Sequence, residues 1–184
     1  MKKSVLTLTL LSLTLTLMTS CANKTKPAAP AEIAQNTEAA AAEDDADMAP
    51  DFELPNLQGS TTRLSSLRGK YVVIDFWGSW CVWCIRGIPQ MKNYYTKYKD
   101  KMEILGVDCR DSEDEWRAAV EEYQLPWPQV RCDDANLRKL GAEYGIQGFP
   151  TKVVVDPKGK VVKYVSGEDP AFYTYLDSIF SGTD

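Results

Sequence analysis

Val73-Ile74-Asp75-Phe76-Trp77-Gly78-Ser79-Trp80-Cys81-Val82-Trp83-Cys84 is the stretch that decides the reading of this 184-residue chain. Its first half belongs to a near-continuous apolar run, Tyr71 to Trp77, as expected of a central strand covered on both faces. Its second half opens a helical pattern. Cys84, Ile88, Met91, Tyr95 and Tyr98 alternate spacings of four and three, which makes one buried stripe. Pro89 lies inside that stripe and predicts a kink. Cys81 and Cys84 therefore sit at a strand-to-helix turn. Residues i and i+3 at a helix start have Cα atoms about 5–6 Å apart, within reach of a disulfide. At the helix N-terminus, unpaired N–H groups and the helix dipole favour a negative charge. The Cys81 thiol is therefore expected below the free value of about 8.5. Cys84, on the stripe, is expected buried. One exposed attacking sulfur and one buried resolving sulfur suit thiol–disulfide exchange.

Working outward, Asp51 to Leu54 and Thr61 to Leu64 both alternate apolar and polar residues around a turn at Asn56-Leu57-Gln58-Gly59, predicting a hairpin. Met102 to Val107 predicts a second buried strand. Ser112 and Glu115 form a capping box ahead of a helix striped by Trp116, Val120 and Tyr123. Gln129 to Arg131 reads as a short strand. Leu137, Leu140 and Tyr144 mark a third helix that Gly145 ends. Lys152 to Val155 and Val161 to Val165 flank a Pro157-Lys158-Gly159 turn. Asp169 and Pro170 start a last helix with Phe172, Tyr175, Leu176 and Ile179 inward. The order β β β α β α β α β β α predicts an α/β fold, a mixed central sheet with helices on both faces and an N-terminal hairpin extension.

Residues 1–20 have a different character. Lys2 and Lys3 precede an uncharged stretch, too short and too rich in Ser and Thr to span a membrane but suited to a signal peptide. Met18-Thr19-Ser20-Cys21 resembles a bacterial lipobox, which implies cleavage before Cys21 and lipid attachment to it. Residues 21–49 are rich in Ala, Lys, Glu, Asp and Pro, with only Ile33 and Met48 as large apolar side chains, and are expected to form a flexible tether. The folded domain is expected over 50–184.

Composition narrows the chemistry. The chain has no histidine, which excludes Ser–His–Asp triads, Cys–His dyads and imidazole metal ligands. A net charge of −5 argues against nucleic acid as a partner. Five cysteines, at 21, 81, 84, 109 and 132, leave an even number once Cys21 is lipidated. Cys109 and Cys132 each follow a strand, so both are expected at strand carboxyl ends near Cys81. If their strands are parallel neighbours, a bridge between them is geometrically possible, against two buried thiols serving as small hydrophobes.

The quoted stretch resembles the active site of the thioredoxin superfamily. Pro89, five residues after Cys84, matches that family's helix proline, and Gly148-Phe149-Pro150-Thr151 resembles the loop carrying its cis-proline. The N-terminal hairpin, the helix after the second strand and the lipoprotein signal resemble the TlpA/ResA-like branch. This resemblance covers roughly residues 50–184. It implies Cys81 as nucleophile, Cys84 as resolving thiol and Asp75 as the buried acid beneath Cys84, able to accept its proton. It implies Pro150 as the cis-proline beside a bound substrate strand. Trp80, Trp83 and Phe149 would rim the sulfurs. No cofactor or metal is implied. The implied partners are client proteins with thiols or disulfides and a membrane electron-donor protein. The implied location is the bacterial cell envelope, facing the periplasm, on a lipid anchor.

Departures from the family pattern sharpen the expectation. Ile85-Arg86-Gly87-Ile88-Pro89 lacks the acid that cytochrome-maturation members often carry before the proline, and no lysine in the second strand can pair with Asp75. The absent histidine points away from a strong oxidase and towards a reductant or isomerase. Other readings of the same residues are a structural Cys81–Cys84 disulfide, a zinc site shared with Cys109 and Cys132, and a solvated Asp75 at a strand end. Rival functions are a thiol peroxidase, which needs Thr or Ser where Gly78 stands, and a non-catalytic peptide-binding lipoprotein, which has no use for paired thiols.

Overall fold

A computed structural model describes residues 47–181. The expected signal peptide, the lipid-bearing Cys21 and the tether up to residue 46 lie outside the described residues. The elements follow the predicted order. A hairpin, β1 (Glu53–Pro55) and β2 (Thr61–Arg63), leads through a 3-10 turn (Leu64–Leu67) into β3 (Tyr71–Trp77). Then come α1 (Val82–Tyr98), β4 (Met102–Cys109), α2 (Glu113–Glu122), β5 (Gln129–Cys132) and α3 (Asp134–Glu143). The chain closes with β6 (Thr151–Val155), β7 (Val161–Ser166) and α4 (Pro170–Phe180).

The five-stranded sheet has the order β5-β4-β3-β6-β7. β3, β4 and β5 are parallel, while β6 pairs antiparallel with both β3 and β7. β3 is central, and Val72 to Trp77 are buried without a break, which is why the sequence there carries no alternation. One face of the sheet packs Val73, Ile104 and Val154 against Met91 of α1 and Phe172, Leu176 and Phe180 of α4. The other face packs Ile74, Phe76, Val107 and Val153 against Leu140 and Tyr144 at α3 and Phe52 and Leu54 of the hairpin. Both faces are thus covered, as parallel strands require.

The helix ends behave as their sequences predict. Ser112 and Glu115 form the reciprocal capping box of α2, and Asp169 caps α4 with Pro170 in its first turn. Gly145, at φ 62°, ends α3 in the left-handed conformation that glycine adopts at no steric cost. α1 runs from Val82 to Tyr98 with Pro89 inside it. The fold also takes in residues ahead of Pro50. Val161 N–H donates to the Asp47 carbonyl (2.8 Å), Ala49 N–H donates to the Gly159 carbonyl (2.9 Å), and Ala49 is buried. Because β6 runs antiparallel to β3, these contacts lie at the end of the sheet where β3 begins, away from Cys81.

Candidate active site

Cys81 is the N-cap of α1, and its sulfur accepts the Cys84 backbone N–H at 3.1 Å. That contact satisfies one of the donors a helix leaves unpaired in its first turn. The two cysteines form a disulfide with Cα atoms 5.2 Å apart. Sequence reasoning expected Cys81 exposed, and here the structure differs: Cys81 is 5% exposed and Cys84 6%. Both pack with Trp77, Trp116 and Ala119, with Phe149 and Leu57 against the cluster, and the disulfide covers each sulfur with the other.

The turn that presents Cys81 is fixed from several sides. Ser79 donates from its N–H (2.7 Å) and its hydroxyl (2.9 Å) to the two carboxylate oxygens of Asp111. Cys81 N–H donates to the Gly78 carbonyl at 3.1 Å. The indole of Trp80 donates to the Cys109 carbonyl at 3.0 Å and meets the Phe149 ring edge-on, with centroids 5.2 Å apart. Arg110 lies 5.4 Å from the centroids of both rings, from a left-handed backbone position at φ 75°. Trp83 is 58% exposed, with the Arg86 guanidinium 4.9 Å from its centroid. An open groove of about 600 Å³ runs beside this rim, lined by Trp80, Phe149, Arg110, Leu137 and Ile146.

Gly78 is where this packing is least tolerant. A Cβ there would fall on the Trp80 Nε1 atom, 2.8 Å from its Cε2 and 2.9 Å from the Cys109 carbonyl oxygen. The Thr or Ser that a peroxidase site needs has no room.

The Phe149–Pro150 peptide bond is cis, and Pro150 is buried. Its carbonyl accepts the Gly167 N–H (2.7 Å), while Thr151 Oγ1 donates to the Gly148 carbonyl (2.8 Å). The loop is thereby held from both sides.

Asp75 is buried on β3, on the sheet face shared by Val73 and Trp77, which α1 covers. It is not a solvated strand end. Burial pushes its carboxyl above the ordinary range, Lys152 opposes that, and Glu168 reinforces it. The second strand offers no lysine, as its sequence indicates, but β6 does: Asp75 and Lys152 are register partners. Sequence reasoning missed Lys152 and Glu168. The signal for Lys152 was a lone cation in the wholly buried strand Thr151–Val155.

Asp108, three residues before Asp111, has no exposed surface, and neither of its carboxyl oxygens has a hydrogen-bond partner. Burial foremost, then contact with the Asp111 carboxylate, pushes its pKa up to about 9.

Cys109 and Cys132 are register partners in the parallel β4–β5 pair, as the strand ends predicted, and both are free thiols. They lie in the core on the far face of the sheet from Cys81 and Cys84. Contact with Cys132 and burial hold the Cys109 thiol far above its usual range. Among the described residues no cluster of three or more metal-type ligands forms.

A disulfide at the mouth of a helix that follows a central strand, with a cis-proline loop packed against it through Phe149 in this sheet order, defines the thioredoxin-like thiol–disulfide oxidoreductases. The chain belongs to the AhpC/TSA family, whose model matches residues 46–164. It is 36% identical over 121 residues to the thiol-disulfide oxidoreductase ResA of Bacillus thuringiensis, covering 65% of this chain and 68% of that protein. To ResA of Bacillus subtilis it is 33% identical over 137 residues, 73% of this chain and 75% of the other. Among solved structures, a thiol:disulfide interchange protein from Bacteroides sp. superposes with a TM-score of 0.69 at 31% identity, covering 75% of this chain and 91% of that one. The thioredoxin domain of a thiol-disulfide oxidoreductase from Bacteroides vulgatus gives 0.66 at 32%, covering 72% and 95%.

Proposed function

We propose that the protein is a lipid-anchored oxidoreductase of the cell envelope that reduces or exchanges disulfides in client proteins, with Cys81 attacking and Cys84 resolving. The observation that carries the assignment is the Cys84 N–H aimed at the Cys81 sulfur at the start of α1. The same N–H and the helix dipole stabilise a thiolate there once the disulfide is reduced. The Cys81 thiolate attacks a client disulfide, forming a mixed disulfide and releasing one client thiolate. Cys84 gives its proton to the Asp75 carboxylate and attacks the Cys81 sulfur. The Cys81–Cys84 disulfide closes and the second client thiolate leaves. A membrane electron-donor protein then reduces the pair: its thiolate takes Cys81, and Cys84 departs with the proton held on Asp75. Trp80, Trp83, Phe149 and Pro150 form the client-binding rim.

The Lys2-Lys3 start and the Met18-Thr19-Ser20-Cys21 string support a lipid anchor at Cys21. Among the described residues no helix is long and apolar enough to cross a membrane. A Cys84→Ser trap expressed in cells tests the site. Clients should accumulate disulfide-linked to Cys81, and accumulation instead on a Cys81→Ser variant, through Cys84, would reverse the roles. Mass spectrometry of the mature N-terminus tests the anchor, which a retained Met1 would overturn.

A further inference from the structure

On the sheet face that α1 covers, one buried cation serves two carboxylates. The Lys152 ammonium, on a side chain 3% exposed, lies 2.7 Å from Glu168 Oε2 and 4.0 Å from Asp75 Oδ1. The Tyr173 hydroxyl donates to the other Glu168 oxygen at 2.6 Å. Both Glu168 oxygens are therefore engaged, while Asp75 Oδ1 has no hydrogen-bond partner.

Glu168 arrives from outside the strand-and-helix unit that bears the cysteines. It sits in the loop between β7 and α4, directly after Gly167, whose N–H holds the Pro150 carbonyl. Its carboxylate fills the space over Gly87, three residues beyond Cys84. A Cβ on Gly87 would fall on Glu168 Oε2 and 2.7 Å from Cδ. The glycine is what lets an acid from a distant loop reach the underside of α1.

One charge cannot neutralise two neighbouring carboxylates equally, and the more buried, less favourably placed one holds its proton more tightly. We propose that Glu168 is a positioning residue for disulfide exchange: by engaging Lys152 directly, it leaves Asp75 as the carboxyl that holds and returns the proton exchanged with Cys84. This rests on the proton role of Asp75 given above. Burial, the main cause of the raised Asp75 affinity, acts in the same direction as the Glu168 charge. The titratable groups around the pair are Lys152 on β6, Tyr173 on α4, Tyr94 on α1, whose ring lies tilted 4.9 Å from that of Tyr173, and the cysteines at the head of α1. β4 presents only Gly106 as the register partner of Asp75.

The test is the pH dependence of dithiothreitol reduction of the Cys81–Cys84 disulfide, with rates expressed per dithiothreitol thiolate. In the wild type this rate should fall as Asp75 loses its proton, and Asp75→Asn should abolish the fall. Glu168→Gln removes a negative neighbour and frees Lys152 for Asp75, so the midpoint should drop by about one pH unit or more. Glu168→Asp should recover part of the shift, and Glu168→Gln in the Asp75→Asn background should have no effect. Gly87→Ala, whose methyl displaces the carboxylate, should shift the midpoint in the same direction and serves if Glu168→Gln does not fold. An unmoved midpoint in folded Glu168→Gln overturns the role of Glu168 while the Asp75 reading stands. A wild-type profile that Asp75→Asn does not alter overturns both.

Discussion

Replacing Gly78 by alanine perturbs the site at one point with a cost that the packing defines. The new methyl would lie against the Trp80 indole and 2.9 Å from the Cys109 carbonyl, so the ring must leave its place. Leaving forfeits the 3.0 Å hydrogen bond to Cys109, about 1 kcal/mol net. It also forfeits the edge-on contact with Phe149, about 0.5–1.5 kcal/mol, and the Arg110 contact, about 0.5–1 kcal/mol. Trp80 is 45% exposed, so the lower ends of these ranges apply and the sum is about 2 kcal/mol. For a domain of this size that is a fall in Tm of about 5–10 °C. Calorimetry of the oxidised protein reads it, together with insulin-disulfide reduction, which should slow as the rim opens. A Trp80→Ala background is the control: there Gly78→Ala should retain only the cost of the carbonyl contact. A Tm within about 1 °C of wild type, with insulin reduction unchanged, would refute the view that this glycine exists to seat the indole.

Two further outcomes follow from the buried polar groups and thiols. Asp108 keeps its proton in the folded chain up to about pH 9, whereas the unfolded chain releases it near pH 4. Stability is therefore lost progressively as pH rises through that window. Asp108→Asn, which puts a neutral amide of the same shape in place of the titrating carboxyl, should flatten the pH dependence of urea unfolding and gain on the order of a few kcal/mol at pH 8 relative to pH 4. An unchanged slope would count against a protonated Asp108. Peptide mapping of the non-reduced, denatured protein should find Cys109 and Cys132 as alkylatable thiols, since both are free and the raised affinity of Cys109 for its proton withholds the thiolate that exchange requires. A 109–132 cross-linked peptide would contradict this.

The elements legible in the sequence were those whose identity is local. The β3 run announces itself because every residue from Val72 is covered, and the α1 stripe because four of its five predicted members are buried. Capping residues Ser112, Asp169 and Gly145 act on their own helix ends. What stayed hidden depends on register and long-range approach. Lys152 meets Asp75 only because β6 pairs antiparallel with β3 in one register, which no local pattern specifies. Glu168 reaches the underside of α1 only because Gly87 leaves space there. The exposure expected of Cys81 failed for the same kind of reason, since its cover comes from Trp116, from the Phe149 loop and from the disulfide itself.

The contacts of Asp47 and Ala49 with the β6–β7 turn give the domain a polarity. The chain enters at one pole of the sheet, and the Cys81–Cys84 disulfide, Trp83 and the cis-proline loop stand at the other. A tether formed by residues 21–49, as their composition predicts, would pull on the blunt end of the domain. On the proposed lipid anchor, the reactive end would then face away from the surface that holds the tether, and clients approaching from the open side would meet the aromatic rim first. The carboxyl-terminal end of α4 lies at that same entry pole, with Phe180 edge-on to Tyr71 at the start of β3, so an attachment there would leave the direction unchanged, whereas one in the loop between β7 and α4 would reverse it.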